Sequence, residues 1–168
     1  YMNFESKILS REISQLLWER EETLSTAESC TGGRVAEAII SIPGASKYYK
    51  GSVVSYVNEI KESLLGVDHE LLIEKGAVSE EVAIEMVKGA CKALNTTYAI
   101  SITGFAGPGG GDQATPVGTI WIACGTIDRQ VTHKVMEDHG RDINLAIATD
   151  KAMHLFYEFL KAECGITQ

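Results

Sequence analysis

The chain has 168 residues, 45% hydrophobic and 23% charged, which is ordinary for a globular protein and long enough for one domain to bury a core. A net charge of −8 argues against a broad nucleic-acid-binding face, which needs a basic stripe, but permits a small anionic ligand held by local groups. No apolar run is long enough to span a bilayer. We therefore expect a single domain over residues 1–168, with neither nucleic acid nor a membrane as partner.

Neither the cysteines nor the histidines show the spacing of a metal site. The four cysteines include no CxxC pair, and none of the four histidines belongs to an HExxH motif. We therefore predict no metal and no other cofactor. Scattered cysteines in a chain with no recognisable secretory leader indicate reduced thiols, and hence a cytoplasmic protein.

Strand-like and helix-like segments alternate over the first two thirds of the chain, and a hairpin follows. The predicted helices cover 4–20, 35–42, 59–65, 68–74, 80–94 and a last segment from about 143 to about 162. The predicted strands cover 23–27, 51–57, 98–103, 118–127 and 130–136. This order predicts an α/β fold: a three-layer α/β/α sandwich with a mixed, mostly parallel sheet.

Several residues at the ends of these segments are typical of helix termini. Asn3, Asn58 and Ser79 are predicted to cap the helices that follow them, because short polar side chains accept hydrogen bonds from the first helical amides. Gly66 and Asn95 are predicted to end helices.

The turn after the first predicted strand contains Ser29, Cys30, Thr31, Gly32 and Gly33. Free amides at the start of the next helix, together with the helix dipole, favour negative charge in front of them. A hydroxyl nucleophile placed here would have oxyanion donors beside it. The alternative is a simple helix cap, the commonest role of serine and threonine at such a position.

Lys61 falls in the first turn of the helix predicted after the second strand, a few residues beyond Tyr56 and Asn58. A cation at this end of a helix opposes the dipole, which lowers the pKa of the amine and suits a base. The alternative is a solvated lysine on a polar face.

A glycine-rich loop, residues 104–112, follows the third predicted strand. Its glycines can bring backbone amides close to a ligand. It lacks the Gly-Lys-Ser/Thr of a Walker loop and the spacing of a dinucleotide fingerprint, so a flexible connector is the alternative. Arg141 stands at the start of the last helix, and the alternative to a binding role is that of a surface arginine.

The Ser29 turn, the segment 56–61 and the glycine loop each follow the carboxyl end of a predicted strand. Ligands bind outside the carboxyl ends of strands in open α/β sheets. The sequence therefore predicts that these three segments meet around one crevice.

A series of short motifs spans nearly the whole chain. They are Ala27-Glu28-Ser29-Cys30-Thr31-Gly32-Gly33, Pro43-Gly44-Ala45-Ser46, Val54-Ser55-Tyr56 with Asn58 and Lys61, Gly76-Ala77-Val78-Ser79, Thr103-Gly104 with Ala106-Gly107-Pro108, Pro116-Val117-Gly118-Thr119, and Arg141-Asp142. In these motifs and in their order, the chain resembles the CinA C-terminal domain, the nicotinamide-nucleotide amidase family.

This resemblance implies a three-layer α/β fold, hydrolysis of the carboxamide of nicotinamide mononucleotide and a role in pyridine-nucleotide salvage. It also implies that Ser29 is the nucleophile, that Lys61 is its base and that Tyr56 takes part in catalysis. We expect a small nucleotide substrate and a homo-oligomer, specifically a dimer. The residues predicted to bind the substrate are Cys30, Thr31, Gly32, Gly33, Asn58, Gly104, Ala106, Gly107 and Arg141.

Two positions depart from the family's pattern. Thr115 stands where the family usually has a lysine before Pro-Val-Gly, and Leu145 stands where a basic residue often follows the Arg-Asp pair. Both changes remove positive charge that we expect to face an anionic substrate.

The expected mechanism has neutral Lys61 take the proton of Ser29, turn amides hold the oxyanion, and Tyr56 or Lys61 protonate the departing ammonia. Two other classes stay open. One is a catalytically weak nucleotide-binding or competence- and damage-associated module with the same crevice. The other is a cysteine enzyme that uses Cys30, since we expect only one of two neighbouring turn residues to point into a pocket.

Overall fold

The structure, a computed structural model, describes residues 4–166. Its α-helices are α1 (Phe4–Arg20), α2 (Arg34–Ile40), α3 (Asn58–Leu65), α4 (His69–Lys75), α5 (Glu80–Leu94) and α6 (Arg141–Glu163). Its strands are β1 (Leu24–Glu28), β2 (Tyr49–Val54), β3 (Tyr98–Gly104), β4 (Thr119–Gly125) and β5 (Gln130–Met136). Every predicted helix and strand is therefore confirmed, with bounds that move by a few residues. The predicted Asn3 cap lies outside the described residues.

The five strands form one mixed sheet in the order β2-β1-β3-β4-β5. Strand β1 pairs in parallel with both β2 and β3, while β4 pairs antiparallel with β3 and β5. The last residue of β1, Glu28, lies opposite Val54 of β2 and Ile102 of β3. The carboxyl ends of these three strands therefore share one edge of the sheet, as the sequence predicted.

Helices cover both faces of this sheet, which confirms the three-layer α/β/α sandwich. On one face, α2 and α6 pack on the sheet and α1 packs on these two helices, in an apolar cluster that includes Ile100 and Ile122. On the other, α3, α4 and α5 form a second apolar cluster against small residues such as Ala99 and Ala123. Small side chains on this second face let α5 approach the sheet closely.

Helix α5 also lies very close to the end of α3. A Cβ atom added to Gly89 would stand 2.0 Å from the carbonyl oxygen of Leu65, so only glycine permits this approach. The contact fixes α3 beneath the sheet edge. Because α3 carries Lys61, the packing of α5 also places that lysine.

Three of the predicted helix ends are confirmed and one is wrong. The Ser79 hydroxyl accepts from the amide of Val82 at 3.3 Å, and Gly66 and Asn95 end their helices in the left-handed conformation. Asn58 is not a cap: the first turn of α3 closes on the carbonyl of Val57, so Asn58 is already helical.

Candidate active site

Three loops at the carboxyl edge of the sheet enclose a cavity of about 210 Å³. The lining residues are Ser29, Cys30, Tyr56, Gly104, Phe105, Ala106, Gly107, Gly109 and Arg141. They lie at or just after the carboxyl ends of β1, β2 and β3, and Arg141 is added from the start of α6. The prediction that the three segments meet around one crevice is confirmed.

Ser29 and Lys61 form a hydrogen-bonded pair beneath this cavity. The Nζ atom of Lys61 lies 3.0 Å from the Ser29 Oγ atom and 2.9 Å from the carbonyl oxygen of Ser55. Lys61 is only 1% exposed, so the alternative of a solvated lysine is wrong. Both of the acceptors named here are uncharged oxygens, and neither balances a positive charge.

Burial is what lowers the pKa of Lys61, to about 8 from an ordinary 10.5. Removal from water disfavours the ammonium form, and no carboxylate in the described part of the chain pairs with it. The direction of this shift agrees with the prediction, and its largest cause is burial. The neutral amine can donate one hydrogen to the Ser55 carbonyl and accept the hydroxyl proton of Ser29 on its lone pair.

Cys30 lines the same cavity but has a different chemical environment. Its side chain is 7% exposed and packs in the apolar cluster under α2 and α6. Burial raises the pKa of its thiol to about 12, so the thiol stays protonated near neutral pH. Both residues line the cavity, and the protonation of the thiol favours Ser29 as the nucleophile.

The amides at the start of α2 do not face the cavity, and the expectation that they would is wrong. The buried carboxylate of Glu28 accepts hydrogen bonds from the amides of Gly33, Val35 and Ala36 at 3.2, 3.0 and 2.9 Å. It accepts a fourth, of 2.7 Å, from the Thr31 hydroxyl. The Glu28 side chain therefore occupies the helix terminus at which we expected the substrate to bind.

Two amides of the turn remain available. Those of Cys30 and Thr31 donate to no oxygen atom within residues 4–166, whereas the Ser29 amide donates to the carbonyl of Ile102 at 2.9 Å. Cys30, whose amide directly follows Ser29 in the chain, is one of the residues that line the cavity. An amide in that position is where serine hydrolases of the nucleophile-elbow type hold an oxyanion.

Four of the predicted substrate-binding residues lie away from the cavity wall. The Thr31 hydroxyl and the Gly33 amide are engaged by Glu28. Gly32 and Asn58 are exposed beyond the residues that line the cavity. Their roles in binding stay predictions, as do those of the lining residues Cys30, Gly104, Ala106, Gly107 and Arg141.

The glycine loop is held by side chains from the start of α6 and is not a free connector. Arg141 donates from Nη1 to the Gly107 carbonyl at 2.8 Å and from Nη2 to the Tyr56 hydroxyl at 3.1 Å. Asn144, which is buried, donates to the Ala106 carbonyl at 3.0 Å. Arg141 therefore links the loop to the second predicted catalytic segment.

The two departures from the family's pattern have different structural settings. Leu145 is 1% exposed in the apolar cluster under the sheet, so its side chain does not face the cavity. The expectation that Leu145 removes charge from the site is therefore wrong. Thr115 is half-buried, and its amide donates to the carboxylate of Asp112 at 2.7 Å.

Sequence reasoning assigned no role to Glu28, Asn144 or Phe105. Glu28 carried a readable signal, because a carboxylate at the end of a buried strand needs several donors, and hydroxyl and amide donors follow at once. Asn144 and Phe105 carried none, since a helical asparagine and a loop phenylalanine are common.

Within the described range, no group of three or more His, Cys, Asp or Glu side chains could hold a metal ion. No helix in that range is long and apolar enough to cross a membrane.

A cavity at the carboxyl edge of parallel strands in an α/β/α sandwich, with a lysine buried against a serine, defines the structural class. The model of the CinA C-terminal domain matches residues 6–160, and the chain belongs to this family.

Comparison with individual proteins agrees with this assignment. The nicotinamide-nucleotide amidohydrolase PncC of Escherichia coli is 43% identical over 91% of this chain and 94% of its own length. A putative competence-damage inducible protein of Halothermothrix orenii is 41% identical over 91% of this chain, but this covers only 37% of that relative. The crystal structure of the competence/damage inducible protein CihA from Agrobacterium tumefaciens superimposes with a TM-score of 0.91 at 32% identity, covering 96% of this chain and 98% of that one.

Proposed function

We propose that this protein is an amidase that hydrolyses the carboxamide of nicotinamide mononucleotide to the acid and ammonia, with Ser29 as nucleophile and Lys61 as base. The observation that carries the proposal is the 3.0 Å contact between Lys61 Nζ and Ser29 Oγ in a site where burial favours the neutral amine. The similarity to an amidohydrolase named for this class of substrate supports the choice of reaction.

In the first half-reaction, neutral Lys61 accepts the proton of Ser29 as the Oγ atom bonds to the carboxamide carbon. The Cys30 amide holds the oxyanion that develops. The C–N bond then breaks, and the ammonium of Lys61 returns its proton to the departing nitrogen as ammonia leaves. The product of this half-reaction is an ester between the substrate's acyl group and Ser29.

In the second half-reaction, water attacks that ester. Lys61 accepts a proton from the water, the Cys30 amide holds the second oxyanion, and the ester C–O bond breaks as Lys61 returns the proton to restore the Ser29 hydroxyl. Lys61 serves as base and then acid in each half. It starts and ends neutral, so every proton is accounted for.

Tyr56 and Arg141 are proposed to act at the mouth of the cavity. Because Arg141 donates to the Tyr56 oxygen, the hydroxyl proton of Tyr56 is free to point at a substrate or a leaving group. Arg141 is exposed and keeps further N–H groups for an anion, which suits the substrate's phosphate. The cavity, at about 210 Å³, is smaller than the ~300 Å³ at which pockets for drug-sized ligands begin, so we expect it to hold the carboxamide ring and leave the phosphate at the rim.

We further propose that residues 1–168 act as one domain and that the reaction serves pyridine-nucleotide salvage. Cytoplasmic location and assembly into a homodimer stay predictions from the sequence.

The decisive experiment measures ammonia release from nicotinamide mononucleotide by the purified protein. We expect turnover by the wild type, loss of at least ~1000-fold in Ser29→Ala, and retention of most activity in Cys30→Ala. Folded content, from circular dichroism and thermal melting, should be similar in the three proteins. Activity that survives Ser29→Ala but disappears in Cys30→Ala would reverse the assignment of the nucleophile.

A further inference from the structure

Glu28 lies beside the nucleophile but touches neither the cavity nor Lys61 in the contacts described above. Its carboxylate is 0% exposed and makes no ion pair in the described part of the chain. Burying an unpaired carboxylate is costly, since several hydrogen bonds must replace its hydration. Such a residue needs a role that a smaller or neutral side chain would not perform.

The four donors that Glu28 collects all belong to the turn that carries Ser29 or to the helix that follows it. Oε1 accepts from the Thr31 hydroxyl and from the amides of Gly33 and Val35, while Oε2 accepts from the amide of Ala36. The carboxylate therefore joins β1, the turn and the first turn of α2 into one hydrogen-bonded unit. Ser29 and Cys30 lie between these anchor points.

This arrangement also decides which amides can meet a developing negative charge. With the α2 terminus occupied by Glu28, the amides left without an oxygen acceptor in the described turn are those of Cys30 and Thr31. Gly32 and Gly33 have φ values of +55° and +111°, which let the chain reverse within the turn so that its donors converge on Glu28. Clamping both sides of the turn fixes the direction of the free amides.

We propose that Glu28 is a positioning residue for catalysis, which holds the 29–33 turn so that the Cys30 amide is aimed at the oxyanion formed on Ser29. This inference takes its substrate from the proposed amidase function, whereas the hydrogen bonds on which it is based do not depend on that function. An interaction realised only in the transition state changes kcat and leaves ground-state binding nearly untouched. A merely structural role would instead lower the amount of folded protein.

The test compares Glu28→Gln with a remote buried control. Glutamine keeps one oxygen for the Oε1 donors but turns an NH₂ group toward the Ala36 amide, so the clamp is loosened with little change in volume. Ser101→Ala is the control, because the buried Ser101 hydroxyl bonds to the Ala83 carbonyl at 2.6 Å on the opposite face of the sheet from the α2 terminus. Thermal melting corrects each activity for folded content.

With nicotinamide mononucleotide, we expect Glu28→Gln to lower kcat by roughly 10–100-fold, less than the full loss of an oxyanion donor, because the amide is misdirected and not removed. KM should change by less than about threefold, and Ser101→Ala should keep wild-type kcat. Thr31→Val, which removes one of the four donors to Glu28, should fall between the wild type and Glu28→Gln. Wild-type kcat in Glu28→Gln, or equal losses in it and in Ser101→Ala, would overturn the inference.

Labelling of Ser29 with a small fluorophosphonate tests the role of Glu28 independently of the proposed substrate. The Ser29 oxygen bonds to phosphorus, the P–F bond breaks, fluoride leaves and Lys61 takes the proton, while the phosphoryl oxygen uses the same amide as an oxyanion would. We expect the maximal labelling rate to fall roughly 10–100-fold in Glu28→Gln and to stay unchanged in Ser101→Ala. If the wild type labels but does not release ammonia, the proposed substrate fails and the labelling rates still decide the role of Glu28. Equal labelling of wild type and Glu28→Gln, or no labelling of the wild type, would overturn it.

Discussion

Replacing Lys61 by methionine should abolish turnover and change how the stability of the fold depends on pH. In the folded protein, burial lowers the pKa of this lysine to about 8 from 10.5. A lowering of this size corresponds to a cost of about 3 kcal/mol for keeping the buried amine protonated. Methionine has similar length and no charge, so it removes that cost at every pH.

The direction of the effect follows from which state binds more protons. Below about pH 8 the lysine is protonated in both states, and the folded protein bears the whole cost. Between about pH 8 and 10.5 the unfolded chain keeps its proton while the folded protein releases it, so wild-type stability rises relative to the variant. Above that range the cost has disappeared. Methionine also leaves the Ser29 hydroxyl and the Ser55 carbonyl without Nζ, a loss of ~1–3 kcal/mol that should vary little with pH.

The measurement is urea unfolding of both proteins at several pH values from about 7 to 10.5. The stability of Lys61→Met minus that of the wild type should fall by about 3 kcal/mol across this range, from near zero or positive to clearly negative. Lys92→Met is the matched control: Lys92 is exposed, its charge stays in water, and the same difference should remain flat. A flat difference for Lys61→Met would show that the folded protein does not favour the neutral amine, and the argument for Lys61 as a base would fail.

Three further predictions concern pH, phosphate and packing. The value of kcat/KM should rise about tenfold from pH 7 to a plateau above the Lys61 pKa of about 8, since only the neutral amine takes the Ser29 proton; a flat profile would contradict this. Arg141→Ala should raise KM for nicotinamide mononucleotide roughly 10–100-fold and for the riboside about tenfold less, whereas equal losses would mean that Arg141 acts only by holding the glycine loop. Gly89→Ala should lower the free energy of unfolding in urea by about 1–3 kcal/mol and lower kcat, because the added Cβ would stand 2.0 Å from the Leu65 carbonyl and displace the helix that carries Lys61. Unchanged stability would show that α3 and α5 adjust freely.

The layout of the site could be predicted from the sequence because it depends on local order along the chain. Ser29, Tyr56 and the glycine loop each follow a strand, and adjacent parallel strands bring their carboxyl ends to one edge whatever the side chains are. The alternation of segments likewise fixed the three layers. Periodicity was enough for these features.

The environment of each residue could not be predicted in the same way, because it depends on packing between segments distant in the chain. Lys61 is buried on α3, whose end packs closely against α5 at Gly89, and no pattern near Lys61 records this packing. Leu145 looked like a missing charge in the family's pattern, yet its side chain belongs to the core. The start of α2 is a local exception: a carboxylate at the end of a buried strand needs several donors, and Glu28 takes the amides that looked open to ligands.

That competition bears on why serine, and not the adjacent cysteine, is suited to the chemistry. A helix terminus directed at the turn would lower the pKa of a nearby thiol, but Glu28 takes those amides and places a carboxylate near Cys30. The thiol, already buried in apolar surroundings, is left protonated. A hydroxyl does not need a lowered pKa of its own when a neutral amine accepts its proton, and Lys61 lies 3.0 Å from Ser29 for that purpose. Glu28 and Lys61 therefore act in the same direction, since one leaves the thiol unactivated and the other gives the hydroxyl its base.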